Sequence, residues 1–347
     1  MRNNIIILIA TGMHRPSTTT EREYMFGKNI CEEYRIIDHE AEKEDDLVTV
    51  EGTSYAGRTI ELNRHFIEAD FRIVTGLVEP HFMAGFSGGR KSICPGLCSL
   101  DTVKAFHSFS FLDNPNSRNA NLIDNPLHSE AISIARKIEV GFSVNLVLNK
   151  DHKVIDAISG DIEESHKLAC KVVSEYACPE VKQEHDVVIT SSGGYPLDAT
   201  FYQCVKGMVS SLPVVKKNGT VVSLGSCLEG VGGDEYKSTM KKYSGNWKGF
   251  LSDSMNSNNV IKDQWQFQMQ TKVLEYVSEE NLIFVTGGIS NSELSNLSVN
   301  GVFAAEDQIQ QKVQKIVDEL VKEGKTLAVI PEGPYCSPIK QGSHTQT

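Results

Sequence analysis

The chain has 347 residues, of which 40% are hydrophobic and 23% charged, and a formal net charge of −11 at pH 7. That composition is ordinary for a soluble globular protein with room for two domains. The acidic balance argues against nucleic acid as the main partner, and no apolar run approaches the length of a membrane span.

Strand and helix signals alternate along the chain. IIILIA at 5–10, YRIIDH at 34–39, RIVTGLV at 72–78 and VNLVLN at 144–149 read as strands. Helix-like stretches lie near 19–30, 100–108, 126–137 and 161–177, the last with Asp161 placed to cap it. After the break at Cys178–Pro179–Glu180 a second alternation begins. It runs through strand 186–190, helix 199–212, strands 220–225 and 281–287, helix 305–322 and strand 326–330. The pattern predicts two α/β domains with mainly parallel sheets. Their expected spans are 1–180 and 181–330, with a linker near 177–184 and a polar tail at 331–347.

Eight cysteines, at 31, 94, 98, 170, 178, 204, 227 and 336, form no C-x-x-C pair, and the opening apolar run is too short for a signal peptide. Reduced thiols and a cytoplasmic location are expected.

In open α/β sheets ligands sit beyond the carboxyl ends of the strands. ATGMHRP after the first strand carries His14, and EPHFMAGFSGGRKS after the third carries His81 and Lys91. Glycines at 85, 88 and 89 let a backbone approach a ligand closely, and N–H groups in such turns converge on phosphate. The segment is not a P-loop, because Arg90 stands where G-x-x-x-x-G-K needs glycine before Lys91 and Ser92. The Arg90–Lys91 pair suits one phosphate or another small anion in an otherwise acidic protein. A loop histidine taken alone is more often a solvated or hydrogen-bonded bystander, but two at strand ends beside a basic glycine-rich loop point to catalysis.

His107 closes the stretch SLDTVKAFH, where Ser99 suits the cap and Asp101 the positive end. It reads equally as a cation at a helix C-terminus or as a ligand. In SSGGYPLDATFYQCVKGM, Asp198 or Thr200 suits the cap, Tyr202 and Lys206 share a face, and Gln203 lies beside them. Phenol, amide and ammonium together make a carboxylate-binding surface or an ordinary exposed helix face. Trp265 in KDQWQFQMQ reads as packing or as a cleft wall, and its flanking glutamines argue against a purely buried role.

ATGMHRP, EPHFMAGFSGGRKSICPG, KAFH, GGYPLDATFYQCVKG and DQWQ, in that order and spacing, resemble the nickel-pincer lactate racemase family of 2-hydroxyacid racemases and epimerases. The resemblance runs over essentially the whole chain. It implies two α/β domains with an active-site cleft between them, and His14 and His81 as paired acid/base groups. It further implies a pyridinium-3-thioamide-5-thiocarboxylic acid mononucleotide tethered to Lys91, with Gly88, Gly89, Arg90 and Ser92 around it and His107 on its nickel. Tyr202, Gln203, Lys206 and Trp265 match positions lining the substrate and cofactor pocket. One histidine then takes the hydroxyl proton while the C2 hydride passes to the cofactor, and the 2-oxo acid reorients. The hydride returns to the other face and the second histidine reprotonates the oxygen. Cofactor-making and cofactor-inserting proteins are implied partners.

The family also carries a segment before the ATG-x-H motif with an Asp-x-x-Arg element. With Met1 thirteen residues before His14, that element is expected to have no counterpart here. Two other readings of the same residues are a hydrolase or lyase with a metal held by His14, His81 and His107, and a ligand-binding relative without turnover.

Overall fold

The structure is a computed structural model that describes residues 4–53, 57–149, 151–257, 259–322 and 324–341. The end of the expected polar tail, 342–347, lies outside the described residues.

The chain forms two compact units that interleave in sequence. One comprises Met1–Val78, Ser87–His107 and Pro126–Ala169, the other Glu79–Phe86, Ser108–Asn125 and Cys170–Thr347. A single cut near residue 180 therefore does not describe the division. Two early segments make their contacts with the later half of the chain, as when Gln268 donates to the carbonyl of Phe109 at 2.9 Å.

The first unit holds a parallel pair, Ile6–Ile9 with Arg35–Asp38, and a parallel pair, Ile73–Leu77 with Phe142–Leu148. Two antiparallel additions were not read from the sequence. Leu47–Thr53 pairs with Thr59–Asn63, and Val154–Gly160 pairs with Phe142–Leu148. The second hairpin follows from a tight turn in which Asn149 Oδ1 accepts from the amides of Asp151 and Lys153, at 2.9 and 3.0 Å. So short a connection admits only antiparallel pairing. The cap expected at Asp161 holds: its Oδ1 accepts from Glu163 and Glu164 N–H, opening the helix Ile162–Ala177.

The second unit is built on a five-stranded parallel sheet in the order Asn300–Phe303, Leu282–Thr286, Val215–Leu224, His185–Ser191, Leu327–Ile330. The helix Ile309–Lys322 turns Ile309, Val313, Ile316 and Leu320 toward Val187, Val222, Val285 and Ala304 of that sheet. The stripe at i, i+4, i+7 and i+11 is what makes this segment helical and fixes its buried face.

The helix Gln264–Val277 went unread in the sequence, and it is buried along most of its length, with only Lys272, Glu275 and Tyr276 reaching toward solvent. Trp265, Phe267, Met269, Val273 and Leu274 are each 2% exposed or less. Its glutamines act as rivets to other segments: Gln266 Nε2 donates to the carbonyl of Tyr202, Gln268 to that of Phe109, and Gln270 to those of Leu297 and Ser298. Buried backbone carbonyls that lack a ladder partner are satisfied in this way.

Candidate active site

In the first unit, the strand Ile6–Ile9 delivers His14 on a tight turn, with His14 N–H donating to Thr11 O at 3.0 Å. Its side chain is exposed. Thr11 Oγ1 donates to His39 O, and Gly12 N–H donates to Gly96 O at 3.0 Å. Gly96 N–H in turn donates to Lys91 O at 3.1 Å, so the loops of His14 and Lys91 are joined through the backbone.

Lys91 sits half-buried in a short 3-10 turn, Gly89–Ser92. Gly88 and Gly89 have φ of +71° and +48°. A Cβ at Gly88 would lie 2.7 Å from Val78 Cγ2, and one at Gly89 would lie 2.7 Å from His166 Cδ2. Glycine is thus demanded here by the protein's own packing as well as by φ. Gly89 N–H donates to Asn145 Oδ1 at 3.1 Å and Lys91 N–H to Gly88 O at 3.0 Å, so these two donors of the expected phosphate cradle are already used. Ser92 Oγ lies 3.5 Å from Thr75 O.

Arg90 corrects the sequence reading. It has no exposed surface, and its Nη1 lies 2.7 Å from His166 Nε2 and 3.4 Å from Ser87 O. A guanidinium turned inward in this way braces the turn from behind and cannot face a ligand beside Lys91 without repacking.

The helix Leu100–Phe106 starts at Ser99, whose Oγ accepts from Thr102 N–H, and presents His107 at its C-cap. His107 Nδ1 donates to Val103 O at 2.9 Å. Burial, with the nearby Lys91 ammonium, pushes its pKa down to about 4. The ring is therefore neutral at pH 7, not a cation serving the helix end. With the proton on Nδ1, Nε2 carries the lone pair, the form in which an imidazole binds a metal.

That state is the test of the implied cofactor. A pincer group supplying its own soft donors asks the protein for one neutral imidazole and one amine, and the first unit offers both together. Among the described residues no group of three or more His, Cys, Asp or Glu side chains could hold a metal. A group that brings its own donors needs a single protein ligand, and His107 fits that need.

In the second unit, His81 lies in the hairpin Pro80–His81 and Gly85–Phe86. Its Nδ1 accepts from Met83 and Ala84 N–H at 3.2 and 3.1 Å, which in the neutral ring puts the proton on Nε2. Asn125 Nδ2 donates to Met83 O at 2.9 Å and holds the turn. Gly85 packs so closely that a Cβ there would meet Asn121 O at 2.2 Å.

The helix Phe201–Ser210 starts at Thr200, not Asp198, whose carboxylate instead binds Ser226 N–H and Oγ. Lys206 makes no hydrogen bond or ion pair with its side chain among the described residues. Burial pushes its pKa down to about 8, against the opposing charge of Glu79. Three residues earlier on the same helix, Gln203 Oε1 is buried without a hydrogen-bond partner among the described residues. The orphaned amide oxygen and the half-buried Lys206 ammonium thus lie one turn apart on one helix face.

Tyr202 and Trp265 differ from their reading as ligand contacts. Trp265 is 2% exposed, and its Nε1 donates to the Tyr202 hydroxyl at 2.8 Å. Burial, with the charge of Asp263, pushes the pKa of the Tyr202 phenol up. Both aromatic side chains are thus satisfied internally.

The comparisons with known proteins agree over both units. Residues 1–120 match the lactate racemase N-terminal domain and residues 181–335 the lactate racemase C-terminal domain. The lactate racemase of Thermoanaerobacterium thermosaccharolyticum is 34% identical over 336 residues, covering 95% of this chain and 75% of that protein. The lactate racemase of Lactiplantibacillus plantarum is 33% identical over 332 residues, covering 95% and 76%. The lactate racemase apoprotein structure from the first organism superposes with a TM-score of 0.87 at 31% identity, covering 96% of this chain and 78% of that one. A protein structure from Thermotoga maritima shares the fold, with a TM-score of 0.73 at 19% identity and coverage of 97% and 86%. With both of its halves matched and most of each relative spanned, the chain belongs to the lactate racemase family of isomerases.

Proposed function

We propose that the protein interconverts the two configurations of a 2-hydroxy acid, most simply lactate, with a nickel-pincer nucleotide tethered to Lys91 and held at its metal by His107. The observation that carries this reading is a neutral His107, its Nδ1 committed to Val103 O, lying in the field of Lys91. When bound, the cofactor supplies a reversible hydride acceptor.

The remaining work falls to the chain's own side chains. Lys206 holds the substrate with its ammonium on the carboxylate, and the orphaned Gln203 oxygen one turn away is an acceptor for a substrate hydroxyl. His14 and His81 exchange the hydroxyl proton, one for each configuration. For His81 to take a proton at Nε2, its Nδ1 must first let go of the Met83 and Ala84 amides and carry the proton itself. The two bases are therefore unequal, the exposed His14 being ready and His81 needing a local change in its turn.

Since the Lys206 ammonium is lost as the pH rises through about 8, KM for the hydroxy acid should climb above that pH while kcat changes little. A pH series of initial rates checks this, and a KM that stays flat to pH 10 would remove Lys206 from the carboxylate.

No helix among the described residues is long and apolar enough to cross a membrane, and all eight cysteines are free. Free thiols support the proposed cytoplasmic location, where cofactor-making and cofactor-inserting proteins would supply the loaded form. The function is tested by expressing the chain with those proteins and following one pure lactate enantiomer by chiral chromatography. Loss of optical purity with nickel and a covalent adduct on the protein is the expected result. Protein carrying the adduct and the metal, yet inert toward a panel of 2-hydroxy acids, would overturn it.

A further inference from the structure

We propose that His166 is a positioning residue, which holds the Arg90 guanidinium inward and through it aims the Lys91 amine for attachment of the cofactor. The inference deepens the proposed use of Lys91 as the tether and rests on it.

All the groups concerned lie in the first unit. Ser165 and His166 stand near the start of the helix Ile162–Ala177 and are 5% and 1% exposed. Both support the glycine turn that carries Lys91. Asn145, itself fully buried, relays the first contact: its Nδ2 donates to Ser165 Oγ at 3.1 Å, and its Oδ1 accepts from Gly89 N–H. His166 makes the second contact directly, its ring edge filling the space that a Cβ on Gly89 would need.

The polar end of that ring sets the direction of Arg90. His166 Nε2 lies 2.7 Å from Arg90 Nη1 and 2.8 Å from Ser87 O. A guanidinium only donates, so Nε2 is the acceptor and the ring proton sits on Nδ1. Burial, with the charge of Arg90, pushes the His166 pKa well below its usual value, in agreement with a neutral ring. Two acceptors as close as Nε2 and Ser87 O repel each other unless a donor serves both. Arg90 Nη1 has two hydrogens and lies 3.4 Å from Ser87 O and 3.5 Å from Gly88 O, so it meets the ring and the backbone of the turn together.

Consecutive side chains in a 3-10 turn stand about 120° apart. With Arg90 held inward in the turn Gly89–Ser92, the direction of Lys91 follows. The backbone closes on the same residue, Lys91 N–H donating to Gly88 O and Lys91 O accepting from Gly96 N–H. A buried guanidinium on a neutral ring adds little stability over a well-packed apolar pair, but it does select one conformation of the turn.

Arg90→Met combined with His166→Leu replaces both partners by apolar side chains, so the melting temperature should stay near the wild-type value. Expressed with the cofactor-supplying proteins, this double variant should carry about tenfold less adduct on Lys91 by intact mass, a loss in keeping with a reacting group moved by less than an ångström. In the unloaded protein, deuterium uptake at the Lys91 and Gly96 amides should be about tenfold faster. His166→Gln keeps an acceptor for Arg90 and should load and exchange like the wild type. The exchange readout needs no cofactor, so a wild-type chain that takes up no adduct ends the tether reading, while exchange still decides whether the pair fixes Lys91. A double variant that loads and exchanges like the wild type overturns the proposal. One that unfolds overturns it as well, because the pair then serves the fold and not the direction of Lys91.

Discussion

Lys91→Ala is expected to yield a folded protein with no covalent adduct, no retained nickel and no measurable interconversion of a 2-hydroxy acid. The side chain is half-buried in a turn whose shape is set by Gly88, Gly89 and the inward Arg90. Lys91→Arg makes the test sharper. It keeps the positive charge that helps hold His107 neutral, but a guanidinium does not form the tether. If charge alone mattered, Arg would restore activity; if the amine is the attachment point, it will not. His107→Asn is the matching change at the metal. The amide can still donate to Val103 O from the C-cap of the helix Leu100–Phe106, so the fold is preserved, but the ring nitrogen proposed for nickel is gone. Intact mass should then show the adduct, with nickel lost. Full nickel occupancy in His107→Asn would show that the metal is held elsewhere.

His14→Ala and His81→Ala are each expected to lower interconversion by about two to four orders of magnitude, the usual worth of one positioned acid/base group. A racemase needs both groups in both directions, so neither variant should favour one enantiomer at equilibrium. The pair should nevertheless differ in kind. His14 is exposed on a turn and its replacement should leave the melting temperature unchanged. His81 Nδ1 accepts two backbone amides, so His81→Ala strands those donors and should cost roughly 1–3 kcal/mol of stability as well as activity. Thermal unfolding beside initial rates from each pure enantiomer separates the two effects. Unimpaired turnover in either variant would end the two-base scheme.

Much of this was legible in the sequence where a local rule dominates. Asp161 announced a helix by its chemistry, the apolar stripe of 309–320 announced another by its period, and four strands of the five-stranded sheet were apolar runs, whereas the short edge strand Asn300–Phe303 gave no such signal. The loops at strand ends brought His14 and Lys91 to notice for the same reason. What failed was anything settled by tertiary context. QWQFQMQ alternates like a strand and is a helix, because buried glutamines spend their donors on carbonyls distant in sequence. Arg90 looks like an anion binder beside Lys91 but is turned to His166, seventy-six residues away in the sequence.

The riveted helix has a kinetic consequence. Its glutamines tie the segments at Tyr202, Phe109 and Leu297–Ser298 to one buried rod, so none of these can open to solvent without breaking bonds to the rod. Deuterium uptake in the second unit should therefore be slow and concerted around that rod, with the amides of these three segments released together as one block.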